Sequence, residues 1–487
     1  MLLFSPYLIY YIIIMRKIIR NYGFLMQKMR LQSKKRCNFA AKFKFVQMIE
    51  SLYIKNFMSF KDGQEISFIA SNKERGQDPE MSEFWYKEVS ENKKLLKLLF
   101  FVGENGAGKT NVLKAINYLR DIATNLKTDR RDTFQHCPFK LDDVSYANPS
   151  EIKLTYYIDS VCYSYQVIVG ANCIISEELK SVAGRSTARV FLRKTDEDTG
   201  IVSISFGAAC DLQKASQREL ITSTISSCSV LASFWSLNIE SQVLTDNYVY
   251  FRDRISLVHH SKEKTLADKL YEYKDDVRMR ELVLQLLKDL TTNINDYEVF
   301  ESVISFLDNP HIQNEPSFKE LMLKRYPEGK IVHRILRFTH STSHGQYQLE
   351  LDEESLGTID IIRLMIVVYD IIIGRKASFI DEVERGIHTK ALQFIIKAFL
   401  LLSNESQIVV TTHDLKLLDM SFMRRDSVRT ITKDSDGVSR IALINQNSLH
   451  RNSSLMNRLF SDVLSEMPDL FRDDDLLAKY KDIINKE

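Results

Sequence analysis

Three patterns of apolar and polar positions run along the chain. Short apolar runs occur at Leu98-Leu99-Phe100-Phe101-Val102, in Ala377-Ser378-Phe379-Ile380 and, after Gln407, at Ile408-Val409-Val410. Runs this short and continuous predict strands covered on both faces. Helical spacing appears in Val112, Ala115, Ile116, Leu119 and Ile122, in Ile361, Ile362, Met365, Val368, Tyr369 and Ile372, and across 391–402. The third pattern is strand-like stretches broken by turn residues. Residues 152–158 and 163–169 flank Asp159-Ser160-Val161-Cys162, a further run ends at Ile174, Ile175 and Leu179, and Arg189-Val190-Phe191-Leu192 and Ile201-Val202-Ser203-Ile204 form a hairpin split by Asp196-Glu197-Asp198-Thr199-Gly200.

Upstream, Leu52, Tyr53 and Ile54 suit a strand, Lys61-Asp62-Gly63 a turn and Ile66-Ser67-Phe68 a return. Residues 71–92 are polar, with a short helix expected around Trp85. From about 208 to about 326 the pattern is helical, most clearly over 266–290, with no sustained heptad and no internal repeat. The expected fold is α/β: a mixed central sheet with helices, an N-terminal β subdomain and an inserted helical region. The expected units are an N-terminal lobe at 48–207, the insertion at 208–340, a C-terminal lobe at 341–450 and a helical tail at 451–487.

Charge changes the picture at the leader. Residues 1–47 carry ten Lys/Arg and no Asp/Glu, so the overall +2 hides a body of 56 basic against 64 acidic residues, about −8. Such a body needs a local basic patch to hold DNA. The apolar run within 1–15 spans only ~22 Å as a helix, short of the ~30 Å hydrocarbon core, and its basic residues follow rather than precede it. We therefore expect 1–47 to lie outside the fold, Met48 to open it, and the protein to be cytoplasmic without stable membrane insertion. The six cysteines (Cys37, Cys137, Cys162, Cys173, Cys210 and Cys228) form no C-x-x-C pair and suggest neither a zinc site nor a disulfide framework.

Candidate chemistry begins at Gly103-Glu104-Asn105-Gly106-Ala107-Gly108-Lys109-Thr110, followed by Asn111. This is the G-x-x-x-x-G-K-[ST] pattern, with an apolar strand before it and helical spacing after it, as a phosphate-binding loop requires. The glycines let successive N–H groups point inward, and the helix start adds positive potential. Lys109 is placed to reach the outer phosphates of ATP, and the Thr110 hydroxyl to take a place on Mg²⁺. A second cluster lies far downstream. Ser355, Gly357 and Thr358 open the 361–372 helix and present free N–H groups to an anion. Asp381 and Glu382 end an apolar strand, where ligands of open α/β sheets gather. Asp381 is the candidate metal ligand, Glu382 the general base, and His413, at the tip of the 407–412 strand, the sensor of the terminal phosphate.

In this order the motifs resemble those of P-loop NTPases of the ATP-binding-cassette type, and more closely the split-head branch that includes the structural-maintenance-of-chromosomes, Rad-fifty and RecF-type proteins. The resemblance extends to bacterial AAA-like ATPases of abortive infection and phage defence. The residues that carry it are the Ile54-Lys55-Asn56-Phe57-Met58-Ser59-Phe60 strand, Glu354-Ser355-Leu356-Gly357-Thr358, Phe379-Ile380-Asp381-Glu382 with His388, and Thr411-Thr412-His413-Asp414. It covers most of 48–450. It implies a head-to-head homo-oligomer, with ATP between the loop of one head and Ser355 and Gly357 of the other. It also implies a sensor or regulator of an anti-phage system that controls a separately encoded toxin or nuclease. The alternative is a RecF-like clamp on DNA. The usual D-loop is replaced by Glu384-Arg385-Gly386, and Gln135 is the candidate Q-loop residue. Only 74 residues follow His413, short for a nuclease domain. Asp434-Ser435-Asp436-Gly437 reads as a hairpin turn and Asp473-Asp474-Asp475 as a solvated helix start.

Overall fold

A computed structural model describes residues 46–443 apart from 73, 75–77, 91, 130, 184–185, 259–264, 291 and 308–315. The expectations for residues 1–45, for Cys37 and for the 451–487 tail lie outside the described residues. Val46, expected to lie outside the fold, is instead buried with Met48 against Leu95 and Tyr157, because its apolar side chain fills the same small core.

The chain begins with β1 (Ile49–Lys55) and β2 (Gln64–Ser67), passes a small hairpin of β3 (Tyr86–Ser90) and β4 (Lys93–Leu96), and enters β5 (Leu98–Gly103). The helix Lys109–Thr124 follows, then β6 (Ser150–Ile158), β7 (Val161–Val169), β8 (Ile174–Ala183), β9 (Ser186–Thr195) and β10 (Val202–Phe206). These last five join β1 and β2 in an antiparallel sheet of order β10-β9-β8-β7-β6-β1-β2. Next come β11 (Ile255–Val258), the ribbon of β12 (Ile294–Ser305), β13 (Lys330–Thr342) and β14 (Gly345–Glu350), and then the helix Leu356–Gly374. β15 (Ala377–Ile380), the helix Thr389–Leu402, β16 (Gln407–Thr412) and the hairpin of β17 (Val428–Lys433) and β18 (Ser439–Leu443) are the last elements among the described residues.

The central sheet has the order β11-β15-β16-β5-β17-β18, parallel except for β18. Its apolar runs are continuous because both faces are covered. Leu99 and Phe101 of β5 face the antiparallel sheet and the Lys109–Thr124 helix, while Leu98, Phe100 and Val102 face Leu356–Gly374 and Thr389–Leu402. All five are at most 1% exposed, and burying each stabilises the fold by roughly 2 kcal/mol. Lys97, just before β5, is buried too, and its Nζ donates to the carbonyls of Leu400 and Ser403 at the end of the Thr389–Leu402 helix.

Two features differ from the sequence pattern. The 266–290 segment is two helices, Leu266–Glu272 and Val277–Asp289, because the Asp276 side chain accepts from the N–H groups of Arg278 and Met279 and starts a new helix. The insertion also contains strands, which a purely helical pattern misses. β12 reads INDYEVFESVIS, rich in β-branched and aromatic residues, and pairs β13 along its length. Helices cover one end of this ribbon, so its burial contrast fades toward Ser305 and the period-2 signal is weak. β11, from the same region, becomes the edge of the central sheet.

Candidate functional site

β5, β15 and β16 run parallel, so their C-terminal ends lie side by side. This brings residues 103–110 next to Asp381 and His413, although nearly 300 positions separate them in sequence. The loop is shaped by contacts as well as by its own glycines. A Cβ at Gly103 would stand 2.1 Å from the Ile431 carbonyl oxygen of β17. Gly108 has φ +111, and a Cβ there would stand 2.4 Å from Ser439 Oγ and 2.7 Å from Ser59 Oγ. Ser439 Oγ lies 2.7 Å from Ser59 Oγ and 2.5 Å from the Ala107 carbonyl oxygen, and Asn111 Nδ2 donates to Ser59 Oγ at 2.8 Å. Ser59 lies in a turn that opens at the buried Asn56, which takes a φ of 48° and whose N–H donates to the Lys61 carbonyl at 3.2 Å. The Asn56 amide group bonds the carbonyls of Ser145 and Asn148 and the N–H of Phe139.

At the loop's end, Lys109 Nζ donates to the carbonyls of Gly103 (2.9 Å) and Glu104 (2.8 Å) and lies 3.5 Å from His413 Nδ1. Burial lowers the Lys109 pKa, and the carboxylates of Asp381, Glu384, Glu382 and Glu104 only partly offset it. Thr110 Oγ1 donates to Asp381 Oδ2 at 2.9 Å, and Thr411 Oγ1 donates to Asp381 Oδ1. Thr411 Oγ1 also accepts the Glu382 N–H at 2.8 Å. Glu382 has a φ of 47°, a left-handed conformation costing a non-glycine residue on the order of 1 kcal/mol. Thr411 therefore holds both acids, one by its side chain and one by its backbone.

These groups fit a magnesium nucleotide. Over Gly106 nothing lies within 4 Å of a Cβ position, so the loop has open space above its N–H groups. Lys109 bends back onto loop carbonyls, which would release it to an anion of higher charge density. Thr110 and Asp381 offer adjacent oxygen donors, the ligand type that Mg²⁺ takes while keeping several waters. Among the described residues no group of three or more His, Cys, Asp or Glu side chains could hold a metal by itself.

Ser355, Gly357 and Thr358 are not part of this cluster. Ser355 caps the Leu356–Gly374 helix, accepting from the Thr358 N–H at 3.2 Å, and Leu356 beside it is 76% exposed. No hydrogen bond joins the three residues to the phosphate loop. Gly357 instead faces the Glu384-Arg385-Gly386 turn, its Cβ position 3.6 Å from the Gly386 carbonyl oxygen. His388 caps the Thr389–Leu402 helix. Gln135 is exposed and its side chain makes no hydrogen bond to the loop; its carbonyl faces Cys137 Sγ. Asp434 to Gly437 make the β17–β18 turn, with Gly437 at φ +79.

Sequence reasoning missed three residues. Ser59 and Ser439 grip the loop across 380 positions, and no local pattern connects them. Glu384 accepts the His413 N–H at 2.5 Å, and its other oxygen is buried without a hydrogen-bond partner. The only available signal was a third acid two residues after Glu382.

Among families, the one described as "AAA domain, putative AbiEii toxin, Type IV TA system" matches residues 98–419. No curated protein matches the chain. Solved structures similar to it include the SMC head domain from Thermotoga maritima, at 12% identity and a TM-score of 0.35, covering 82% of this chain and 99% of that one. Another is the SmcHead bound to the C-winged helix domain of ScpA (13% identity, TM-score 0.35, 82% and 98% covered). A third is the Pyrococcus furiosus Smc head with an extended coiled coil, bound to the C-terminal domain of ScpA (14% identity, TM-score 0.36, 81% and 96% covered).

Proposed function

The chain belongs to the AAA-domain family described as putative AbiEii toxins of type IV TA systems, and on that basis we propose that it is a Mg²⁺-dependent ATPase that works as a head-to-head homo-oligomer. The observation that carries this is the convergence of Lys109, Thr110, Asp381, Glu382 and His413 at one sheet edge. The loop N–H groups and Lys109 bind and orient the triphosphate. Bound Mg²⁺, held by Thr110 and Asp381, would supply a Lewis acid for the phosphate oxygens. Glu382, its backbone fixed by Thr411, takes the proton of the attacking water. His413, beside Lys109 and tethered by Glu384, senses the terminal phosphate.

In this role ATP draws two heads together, with Ser355, Gly357 and Thr358 of one meeting the loop of the other, and hydrolysis parts them. The family description supports a place in a toxin–antitoxin system; in the anti-phage role proposed here the ATPase is the sensor or regulator of a separately encoded toxic effector. Among the described residues no helix is long and apolar enough to cross a membrane. The test is phosphate release by the full chain against Glu382→Gln. Turnover should fall by at least about 100-fold while ATP stays bound and the oligomer accumulates. Unchanged turnover would remove Glu382 as the base.

A further inference from the structure

The Leu356–Gly374 helix has two apolar faces. Ile361, Leu364, Met365 and Val368 pack on the central sheet, whereas Ile359, Ile362, Ile366 and Tyr369 pack on the insertion, against residues such as Met279, Val283, Leu336 and Phe338. The insertion is thus seated on the same helix that Ser355 caps. Its last strand, β14, runs through a short turn (Leu351–Glu353) straight into Ser355. That turn is tied down by side chains of the ribbon. Arg337 of β13 donates to Glu350 at 3.0 Å, and Glu353 accepts the Glu350 N–H at 2.8 Å. One step closer to Ser355, His340 Nε2 lies 2.5 Å from Glu354 Oε1. His340 stands in the middle strand of the ribbon, between Ile294 of β12 and Tyr347 of β14, and follows Leu336 and Phe338 on the covered face. The Glu354 side chain is only 7% exposed and that of His340 18%. A carboxylate this buried is held in place by its partner, because leaving it unpaired is costly.

Resting on the ATPase reading above, we infer that His340 and Glu354 are positioning residues through which the inserted 266–350 module sets the pose of Ser355, Gly357 and Thr358. The phosphate loop is gripped by Ser59 after β1 and by Ser439 of β18, both outside the 266–350 module, so that module does not set its pose. The Ser355 turn has no comparable grip. Its cap is internal, Leu356 points to solvent, and the side-chain restraint nearest to it on its N-terminal side is the His340–Glu354 contact. Displacement of the ribbon by a partner would therefore reach the second half of the nucleotide site and leave the first half untouched. This makes the insertion the control input of the ATPase.

The test is amide hydrogen exchange on the full chain, run beside ATP-dependent association in the Glu382→Gln background. In His340→Ala, exchange at Thr358 and Ile359, whose N–H groups bond to Ser355, should rise about ten-fold, as loss of a charge-assisted hydrogen bond predicts. Exchange over 103–124 should not change, ATP affinity of the single chain should stay within about two-fold, and association should weaken about ten-fold. His340→Gln, which keeps an N–H donor near the same place, should restore both readouts. Unchanged exchange at Thr358 and Ile359 in His340→Ala would overturn the inference. So would a rise spread equally over the Lys109–Thr124 helix, or failure of His340→Gln to restore. If the parent chain binds ATP but never associates, the head-to-head reading fails, while the exchange result still decides the role of His340.

Discussion

A Cβ at Gly108 would stand 2.4 Å from Ser439 Oγ, whereas one at Gly357 would meet nothing nearer than 3.6 Å. The two glycine-containing turns of the candidate site are thus held in opposite ways. The phosphate loop is packed from three sides, by β17, by Ser439 of β18 and by Ser59 after β1, and its lysine is buried among carbonyls. The Ser355 turn presents an exposed leucine, closes its cap on itself, and is held at its base by the His340–Glu354 contact. A loop built to grip a ligand within one chain must be pre-organised there, since freezing it at the moment of binding would cost affinity. In the proposed head-to-head assembly, the surface that meets the second copy must instead stay open.

The largest effect should come from breaking the packed half. Lys109→Ala should weaken ATP binding at least about 100-fold, since it removes a desolvated cation from the phosphates, and calorimetry would show whether tight binding persists. Ser355→Arg acts on the open half. Single-chain ATP affinity should hold within about two-fold, while ATP-driven association, followed by sedimentation, drops about ten-fold or more. A loss of single-chain binding in that variant would mean the two halves are not separate.

The next prediction concerns the sheet beneath the loop. Burial, with Lys87 adding to it, pulls the Lys97 pKa down to about 7. The unfolded chain keeps a lysine near 10.4, so between about pH 7 and 10 it binds a proton that the folded chain lacks. Unfolding then takes up a proton, and stability rises with pH across that window by up to about 1.4 kcal/mol per pH unit. Melting curves of Lys97→Met should lose that slope, and an equal slope in parent and variant would contradict it. The smallest effect is expected from Ser439→Ala, which loosens the grip without touching the ligand. It should cost about 1 kcal/mol, or roughly five-fold in ATP affinity. No change would mean that Ser59 and backbone alone shape the loop.

Much of the fold was legible in advance where the signal is local. The buried runs of β5, β15 and β16 read as two-sided strands because both faces demand apolar residues. The β17–β18 turn read correctly from Asp436-Gly437, whose left-handed φ a glycine accepts. The break at Asp276 was harder, since the apolar spacing of 266–290 continues through it and only the cap ends the first helix. The β12–β14 ribbon was hidden because helices cover only one end of it, which blurs the alternation that marks a strand.

By itself the sequence determined the chemistry. A phosphate cradle needs its glycines, lysine and threonine on one continuous turn, and a strand-end acid pair needs two adjacent carboxylates, so both are written in consecutive residues. Tertiary structure alone decided what holds that chemistry in register. Ser59 with Ser439, Thr411 with Asp381, Glu384 with His413 and His340 with Glu354 meet because sheet pairing, parallel in the central sheet and antiparallel in the ribbon, brings separate segments together. Such contacts leave no periodicity in the chain, since each depends on where another element packs rather than on its own neighbours.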